Sequence, residues 1–352
     1  MNDPEVIAKD LSQFRDAVRN GLPYKPLYVK WKLIWACNLR CAMCRHWRDE
    51  AGSPLSTARI LEVIDELASL GCQKIHLTGG EPTLRPDLEQ LLQRMQSHGI
   101  RATMTTNGTL ISPQRAESLV SAGLHKVNVS LDSPIPELHN FLRGHSWAWQ
   151  HAIAGIRALR AVLTRPRSLR LNTVISAANY RSLAQLPDLA QRLGIDRLHL
   201  IPVDRHTEDL PPLSRWQILR YNAFVAPVLA RKAIAAQLID HPAAAFPFGR
   251  TWHDISQSIQ GHYARTYYDH HPCFAPWIHA LIDHHGQVSV CCMTTHQVVV
   301  GDLQQQSFVD LWHGEPYRQL RRQSNLPQLP QCRTCDMFLA QNRAIAQLLH
   351  TP

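Results

Sequence analysis

At 352 residues, with 45% hydrophobic and 18% charged residues, the chain has room for one domain with a sizeable core, or for a domain and a small module. No run of eighteen apolar residues occurs and the N-terminus lacks the pattern of a secretory signal, so neither a membrane span nor secretion is expected, and the predicted location is the cytoplasm. The net charge of +9 suits an anionic substrate or a weak nucleic-acid surface, but solvated arginines on helix faces give the same balance, so charge does not decide the substrate.

Strand-like and helix-like segments alternate along most of the chain. Apolar residues at helical spacing predict a helix over 5–20, ended by Gly21 and Pro23. The strands expected after it cover 27–35, 74–78, 102–106, 126–131, 169–175 and 197–201, and the helices cover 56–70, 86–97, 113–122, 147–163 and 181–193. Repeated βα units predict a parallel sheet with right-handed crossovers, and about six of them make a partial barrel. The chemistry of such barrels lies at the carboxyl ends of the strands.

Three of the nine cysteines follow the first predicted strand. Cys37, Cys41 and Cys44 have the spacing C-x3-C-x2-C, which places three thiolates on one short loop. Soft thiolates select iron–sulfur clusters, zinc or copper(I), and a [4Fe–4S] cluster held by three of them keeps one iron open to a small molecule. A zinc knuckle is the alternative. Grouped cysteines indicate metal sites in a reducing compartment, not a disulfide framework.

Glycines and polar residues follow the next three predicted strands. The turn Gly79-Gly80-Glu81-Pro82 lets backbone approach a ligand closely and supplies an acceptor beside it. The segments 105–108 and 130–132 offer the hydroxyl, amide and carboxylate groups that a ribose and an amino-acid carboxylate would need. Helix N-caps and turns are the alternative roles for these residues. Asn172 and His199, on the last two predicted strands, are assigned a core or rim position in preference to substrate contact.

A second group of cysteines occupies the C-terminal part of the chain. Cys273, Gly286 and Cys291 form the pattern C-x12-G-x4-C, and Cys332 and Cys335 add C-x2-C. Residues 280–290 are predicted to form a β-hairpin with its turn at Gly286. Four thiolates would fill every iron of a cluster, which favours electron transfer over substrate binding; a structural zinc site is the alternative. Cys292 is treated as an adjacent thiol, Cys72 as a buried hydrophobic residue, and the paired histidines 270–271 and 284–285 as solvated turn residues.

Together these motifs resemble the radical S-adenosylmethionine (SAM) superfamily with a C-terminal SPASM/twitch module. The resemblance implies a [4Fe–4S] cluster on Cys37, Cys41 and Cys44 whose open iron chelates SAM. It also implies one auxiliary [4Fe–4S] cluster on Cys273, Cys291, Cys332 and Cys335, of the shorter twitch type because no cysteine follows Cys335. The SAM contacts that it implies are Met43, Gly79, Gly80, Glu81, Pro82, Asn107, Ser130, Asp132 and Arg143.

The expected fold class is α/β, a partial (β/α)6 TIM-like barrel with a small C-terminal α+β iron–sulfur module. The expected domains are a helical extension over 1–26, the barrel over 27–205, a bridging helical region over 206–270 and the auxiliary module over 271–352.

The implied reaction is reductive cleavage of SAM to a 5′-deoxyadenosyl radical, which abstracts hydrogen from a substrate. The first hypothesis is an oxidoreductase or epimerase acting on a sugar, aminocyclitol or nucleotide-linked small molecule. The alternative is a peptide maturase, weakened by the lack of an obvious leader-peptide-binding segment. A nucleic-acid-modifying enzyme rests on charge alone, and a zinc-stapled binding protein requires every motif to be coincidence. Expected partners are SAM, the substrate and an electron donor such as flavodoxin or ferredoxin, without a membrane or nucleic acid; no catalytic acid or base is identified.

Overall fold

The computed structural model describes residues 3–44, 46–48, 54–204, 210–294, 298–323, 329–335 and 339–350. Its strands are β1 Tyr28–Ile34, β2 Lys74–Gly79, β3 Arg101–Thr106, β4 Leu124–Ser130, β5 Ser168–Ile175, β6 Arg197–Pro202, β7 His279–Ile282, β8 Gln287–Ser289 and β9 Val299–Asp302. The helices of the N-terminal half are α1 Asp3–Lys9, α2 Leu11–Asn20, α3 Thr57–Ser69, α4 Leu88–Ser97, α5 Pro113–Ser121, α6 Pro136–Arg143 and α7 Ala148–Val162. Those that follow are α8 Leu186–Arg192, α9 Arg215–Arg220, α10 Ala226–Ala235, α11 Trp252–Ile259, α12 Tyr267–His270, α13 Ala275–Ile278, α14 Phe308–His313, α15 Glu315–Gln323 and α16 Leu339–His350.

The described strands form one sheet in the order β6-β5-β4-β3-β2-β1-β7-β8-β9. β1 to β6 are parallel neighbours, each reached through the helical segments that follow the previous strand. The ends of this order do not pair with each other in the described residues, so hydrogen bonds leave the barrel open. The predicted α/β fold with a partial six-stranded barrel is therefore confirmed.

The C-terminal strands continue the barrel sheet, which the sequence did not predict. β7 pairs in parallel with β1, and β8 and β9 then add antiparallel strands beyond it. The predicted hairpin is present, because β7 and β8 are antiparallel and Gly286 adopts a φ of 95° between them. The division at residue 271 stays a prediction, and no break in the sheet accompanies it.

The core lies between the sheet and the helices packed on its outer face. Along β5 buried and half-buried residues alternate strictly, as expected of a strand with one face in the core. α3 begins at the predicted N-cap, where the Ser56 side chain accepts a hydrogen bond from the Arg59 N–H, and it buries Ile60 and Ile64 against the sheet. The opposite face of the strands points into the barrel, and its half-buried polar residues position the site described next.

Candidate active site

The first cysteine loop leaves the carboxyl end of β1 beside the turn that follows β2. The Gly80 N–H donates to the Ile34 carbonyl (2.7 Å) and the Glu81 N–H to the Ala36 carbonyl (2.9 Å). A Cβ at Gly79 would lie 2.2 Å from the Ile34 oxygen, and one at Gly80 would lie 2.1 Å from the Ala36 oxygen. Both glycines are therefore needed because the start of the cysteine loop passes directly over them.

The three thiols of this loop are brought together in a largely apolar environment. Cys37, Cys41 and Cys44 pack with Leu39, Met43 and the neighbouring Trp147. Burial raises the pKa of Cys37 to about 11 and also raises the pKa of Cys41, so without a metal these two thiols are held protonated. Three soft donors on one loop, none in a disulfide, fit a [4Fe–4S] cluster with one iron open, and its binding would release their protons.

Glu81 has a structural environment that the sequence did not reveal. Its side chain is 1% exposed, and Oε1 accepts hydrogen bonds from the hydroxyls of Thr83 and Thr106, both at 2.7 Å. Oε2 accepts from the Asn107 N–H at 2.8 Å. The carboxylate thus joins the ends of β2 and β3, and Pro82 begins a buried 3-10 turn behind it. Contact of Glu81 with SAM stays a prediction. Because both of its carboxylate oxygens accept these hydrogen bonds, the backbone of the turn is the part that remains for such a contact.

Asn107 connects the end of β3 to the cysteine loop. Its Nδ2 donates to Asn38 Oδ1 at 2.8 Å, and Asn38 in turn donates to the Thr109 hydroxyl at 2.9 Å. The Asn107 side chain is 7% exposed, so its place in the structure is that of a loop anchor. Its direct contact with SAM stays a prediction.

Asp132 and Arg143 form a buried ion pair under the same loop. Arg143 Nη2 lies 2.6 Å from Asp132 Oδ2, and Asp132 Oδ1 accepts from the Val174 N–H at 2.9 Å. Arg143 Nη1 also reaches Cys41 Sγ at 3.7 Å, and the Ala42 N–H donates to the Leu142 carbonyl at 2.9 Å. Asp132 is 0% exposed, so the structure gives the pair a role in holding α6 against the cysteines, and its SAM contact stays a prediction.

Ser130 and Met43 differ from these anchors because both are only half-buried. Ser130 ends β4 opposite Asn172 of β5, at the carboxyl edge of the sheet where Gly79 ends β2. Met43 lies beside Cys44. Among the residues expected to contact SAM, these two keep side chains at an accessible surface of the site, and their roles stay predictions.

A polar cavity of about 550 Å³ runs through the interior of the open barrel. Its wall is built from alternate residues of β1 to β6 and includes Asn172 and His199, whose preferred core or rim role stays a prediction. The wall also carries cations that the sequence motifs did not indicate: Lys30, Lys74, Arg101, Lys126 and Arg170. Period-two alternation within the predicted strands was the signal that could have found them.

The second group of cysteines gathers at the side of the sheet near β7. Cys273, Cys291, Cys332 and Cys335 share one cluster with Cys292, Tyr28 and Tyr268. Burial raises the pKa of Cys273 and Cys332 to about 12 and that of Cys291 to about 11. Among the described residues, no three His, Cys, Asp or Glu side chains converge on a position for a single metal ion. Four gathered thiols fit a larger iron–sulfur cluster.

Asn342 of α16 contacts the second group of cysteines, and no motif in the sequence indicated it. It is 2% exposed, and its Nδ2 lies 3.7 Å from Cys273 Sγ and donates to the Tyr268 hydroxyl at 2.7 Å. The Tyr268 hydroxyl lies 3.9 Å from Cys335 Sγ. Such hydrogen bonds to ligand sulfurs orient them and influence the potential of a bound cluster.

β1 joins the two groups of cysteines. Tyr28, at its start, lines the cavity, packs with the second group and stacks on His279 at 4.8 Å. The first cysteine loop begins after its other end, roughly 20 Å along a seven-residue strand. Between them, burial lowers the pKa of Lys32, while the Cys292 and Cys44 thiols oppose that shift. The two sites therefore lie at opposite ends of the strand whose inner face borders the cavity.

The histidines near this strand do not all behave as predicted. His284 is 4% exposed and stacks on Trp35 at 4.7 Å, so the interpretation of it as a solvated turn residue was wrong. The apolar residues of β7 and β8 draw the hairpin turn against β1 and bury it. His270 is exposed, in line with the prediction.

Comparisons with known proteins match both parts of this arrangement. The radical SAM superfamily model matches residues 32–190, and the SPASM model, an iron-sulfur cluster-binding domain, matches residues 273–336. The chain contains a domain of the radical SAM superfamily, followed by a SPASM domain. This enzyme family binds a [4Fe–4S] cluster with SAM, and the SPASM domain binds auxiliary iron–sulfur clusters, so the predicted family and cofactors are confirmed.

Several radical SAM enzymes resemble the chain over most of its length. An AdoMet-dependent heme synthase of Methanosarcina barkeri is 28% identical over 310 residues, which cover 84% of this chain and 85% of the relative. The mycofactocin maturase MftC of Mycobacterium ulcerans is 29% identical over 309 residues, covering 84% and 77%. Two further heme synthases match over only 49% and 46% of their own length.

Among solved structures, Streptococcus suis SuiB bound to its precursor peptide SuiA has the same fold. The TM-score is 0.66 with 18% identity, and the match covers 91% of this chain and 72% of SuiB. The likeness supports the radical SAM barrel with a C-terminal extension. No helix of the described residues is both long and apolar enough to cross a membrane.

Proposed function

We propose that the protein is a radical SAM oxidoreductase or epimerase that acts on a small molecule held in the barrel cavity. The observation that carries the proposal is the position of this cavity, bordered by the inner face of β1, with one group of cysteines at each end of the strand. Its volume of about 550 Å³ falls within the range of small-molecule pockets, roughly 300–1,000 Å³. A sugar, an aminocyclitol or a nucleotide-linked compound is the proposed class of substrate.

The chain's own residues have distinct tasks in this proposal. Cys37, Cys41 and Cys44 would hold the [4Fe–4S] cluster, which with bound SAM supplies a 5′-deoxyadenosyl radical able to remove hydrogen from an unactivated carbon. Ser130 and the backbone of the turn after β2 would orient SAM above the cavity. The barrel wall would hold the substrate and exclude water from the reacting carbon.

The C-terminal thiols would act in electron transfer. Cys273, Cys291, Cys332 and Cys335 would hold one auxiliary [4Fe–4S] cluster, whose four protein ligands leave no iron for substrate. Asn342 would keep Cys273 in position. We also propose a cytoplasmic location and an electron donor such as flavodoxin or ferredoxin, in line with nine cysteines that are all free thiols.

A peptide maturase is the second candidate. The mycofactocin maturase named above and the peptide-bound SuiB structure favour it, whereas the heme synthase favours a non-peptide substrate. The two candidates differ in the class of substrate, which is read from the compounds that stimulate turnover.

The experiment measures 5′-deoxyadenosine formed from SAM by anaerobic, reconstituted protein with a reductant. Extract of the host cell is divided into a small-molecule fraction and a peptide fraction, and each is added separately. Stimulation by the small-molecule fraction is the expected result. Stimulation by the peptide fraction alone would replace the first proposal with the maturase.

A variant tests the electron-transfer role independently. Cys332→Ala combined with Cys335→Ala is expected to lose roughly half of the iron, because one cluster of two is lost, while SAM cleavage continues without substrate oxidation. Iron content, 5′-deoxyadenosine and oxidised product are measured together. Full turnover by this variant would remove the auxiliary cluster from the reaction.

A further inference from the structure

The interior of the barrel is strongly cationic and its lining holds no compensating acid. Among the described residues that line the cavity, none is Asp or Glu, whereas five are Lys or Arg: Lys30, Lys74, Arg101, Lys126 and Arg170. The nearest carboxylates already have partners, since Asp196 pairs with Arg160 at 3.0 Å and Asp240 with Arg197 at 3.0 Å. An apolar or neutral ligand would not offset the free-energy cost of burying these cations inside the barrel.

The strand register brings like charges side by side. Lys74 of β2 is directly opposite Arg101 of β3, and Arg170 of β5 is opposite Arg197 of β6. Like charges at paired positions destabilise a sheet. Burial lowers the pKa of Lys126 to about 8, and repulsion from the neighbouring Arg170, Lys74 and Arg197 adds to that shift. A bound anion would relieve this repulsion.

Unpaired polar atoms mark where such a ligand would sit. Arg170 Nε, Asn128 Oδ1 and Asn172 Oδ1 are buried and have no hydrogen-bond partner among the described residues. All three side chains line the cavity, on the neighbouring strands β4 and β5. Buried polar groups are otherwise paired in proteins, so these atoms indicate a missing polar partner. The Arg170 N–H can donate to an anionic oxygen, whereas the two amide oxygens only accept and would take a hydroxyl or amine of the same ligand.

We propose that this basic interior binds a small substrate that carries two negative charges, on two carboxylates or on one phosphate. Lys126 and Arg170 form the centre of the site, and Lys74 and Arg101 extend it toward the amino ends of the strands. Along β4, Lys126 precedes Ser130 by four residues, roughly 13 Å. The negative charges are therefore held in the lower part of the barrel, and an uncharged part of the substrate faces the SAM end. The inference rests on the proposed small-molecule function and narrows its substrate class.

Binding of defined probes tests the site without turnover. Reconstituted full-length protein, saturated with SAM so that the probes do not compete for its position, is titrated calorimetrically with glutarate, with glycerol 3-phosphate and with acetate at constant ionic strength. At least one dianion is expected to bind about tenfold or more tightly than acetate. The dianion that binds more tightly distinguishes a carboxylate site from a phosphate site, and equal, weak binding of all three probes would overturn the proposal.

Variants show whether the probe occupies the cavity. Lys126→Met and Arg170→Met each keep the apolar stem and remove the charge, and each is expected to weaken binding of the preferred dianion about tenfold. Arg157→Met is the matched control, because Arg157 is an exposed cation on the outer helix α7. Unchanged binding in both cavity variants, or an equal loss in the control, would overturn the proposal. Melting temperatures show that the variants fold, and relief of repulsion predicts no decrease.

Two further readouts separate this inference from the proposed function. Wild-type protein that forms 5′-deoxyadenosine but does not distinguish a dianion from acetate retains the enzyme assignment and loses the anion site. Protein that binds the dianion and never cleaves SAM retains the anion site and loses the enzyme assignment. Hexaglutamate serves as a competitor, and displacement of the dianion by this peptide at lower concentration than by either small probe would contradict a small-molecule substrate.

Discussion

Gly80 has no side chain, which leaves room for the start of the loop that carries Cys37, Cys41 and Cys44. Its missing Cβ leaves room for the Ala36 carbonyl, where a Cβ would be only 2.1 Å away. Gly80→Ala is therefore expected to displace the start of the cysteine loop, lower iron content by roughly half and slow SAM cleavage about a hundredfold. Iron analysis and 5′-deoxyadenosine formation measure the two effects.

The control for this substitution is Gly99→Ala. Gly99 has a positive φ of 70°, but a Cβ there would meet no atom within 4 Å. It accepts the backbone strain of the substitution without moving a ligand. Similar losses in both variants would mean that the close approach at Gly80 does not position the cysteines.

Lys126 predicts how stability changes with pH. Burial, Arg170, Lys74 and Arg197 lower its pKa to about 8 in the folded protein, with Asp196 opposing them, against an ordinary value of 10.5. Between these two values the unfolded chain binds more protons than the folded chain, so this residue makes the free energy of unfolding rise with pH. Denaturant unfolding at pH 7.5 and 9.5 is expected to give a larger increase for wild type than for Lys126→Met. An identical increase would show that Lys126 is charged throughout.

At the scale of elements, a buried ion pair joins α6 to the segment after β4, and α6 contacts the cysteine loop through Arg143 and Leu142. Asp132→Asn would leave the Arg143 guanidinium buried without its carboxylate, at a cost of about 3–5 kcal/mol in the free energy of unfolding. The matched control is Asp65→Asn, which breaks the exposed pair with Arg94 and is expected to cost about 0–1 kcal/mol. Equal costs, measured by denaturant unfolding, would remove the structural role of the Asp132 pair.

The βα elements were predictable because each has a local signal. Alternating apolar residues marked the six barrel strands, and Ser56 and Ser112 both cap helices through their side chains. The attachment of β7 to β1 was not predictable, because parallel pairing over some 250 residues leaves no local trace. A π turn over Tyr221–Val225 connects α9 to α10 within the bridging region, and no local signal in the sequence marks it.

The same distinction applies to the candidate site. Spacing identified the cysteines, since a cluster demands ligands on short loops. Spacing could not show that the side chains of Glu81, Asn107 and Asp132 form hydrogen bonds within the protein, because the partners are distant in the sequence. The contact between Cys273 and Asn342 likewise depends on the fold, because the two residues are far apart in the sequence.

At the scale of the molecule, the open barrel and the C-terminal thiols act as one unit. A single sheet runs from β6 to β9, and β1 at its middle touches both groups of cysteines. This continuity fixes the distance between them more firmly than a flexible linker would. The inner face of β1 also borders the cationic cavity.

The central claim is that Cys37, Cys41 and Cys44 support radical SAM chemistry in this chain. The most direct measurement is anaerobic formation of 5′-deoxyadenosine from SAM and a reductant, comparing reconstituted wild type with Cys44→Ala, and with Cys72→Ala as a cysteine control outside both groups. We expect 5′-deoxyadenosine from wild type and from Cys72→Ala, and none from Cys44→Ala. Wild-type protein that contains its iron and forms no product, or equal formation by Cys44→Ala, would contradict the claim.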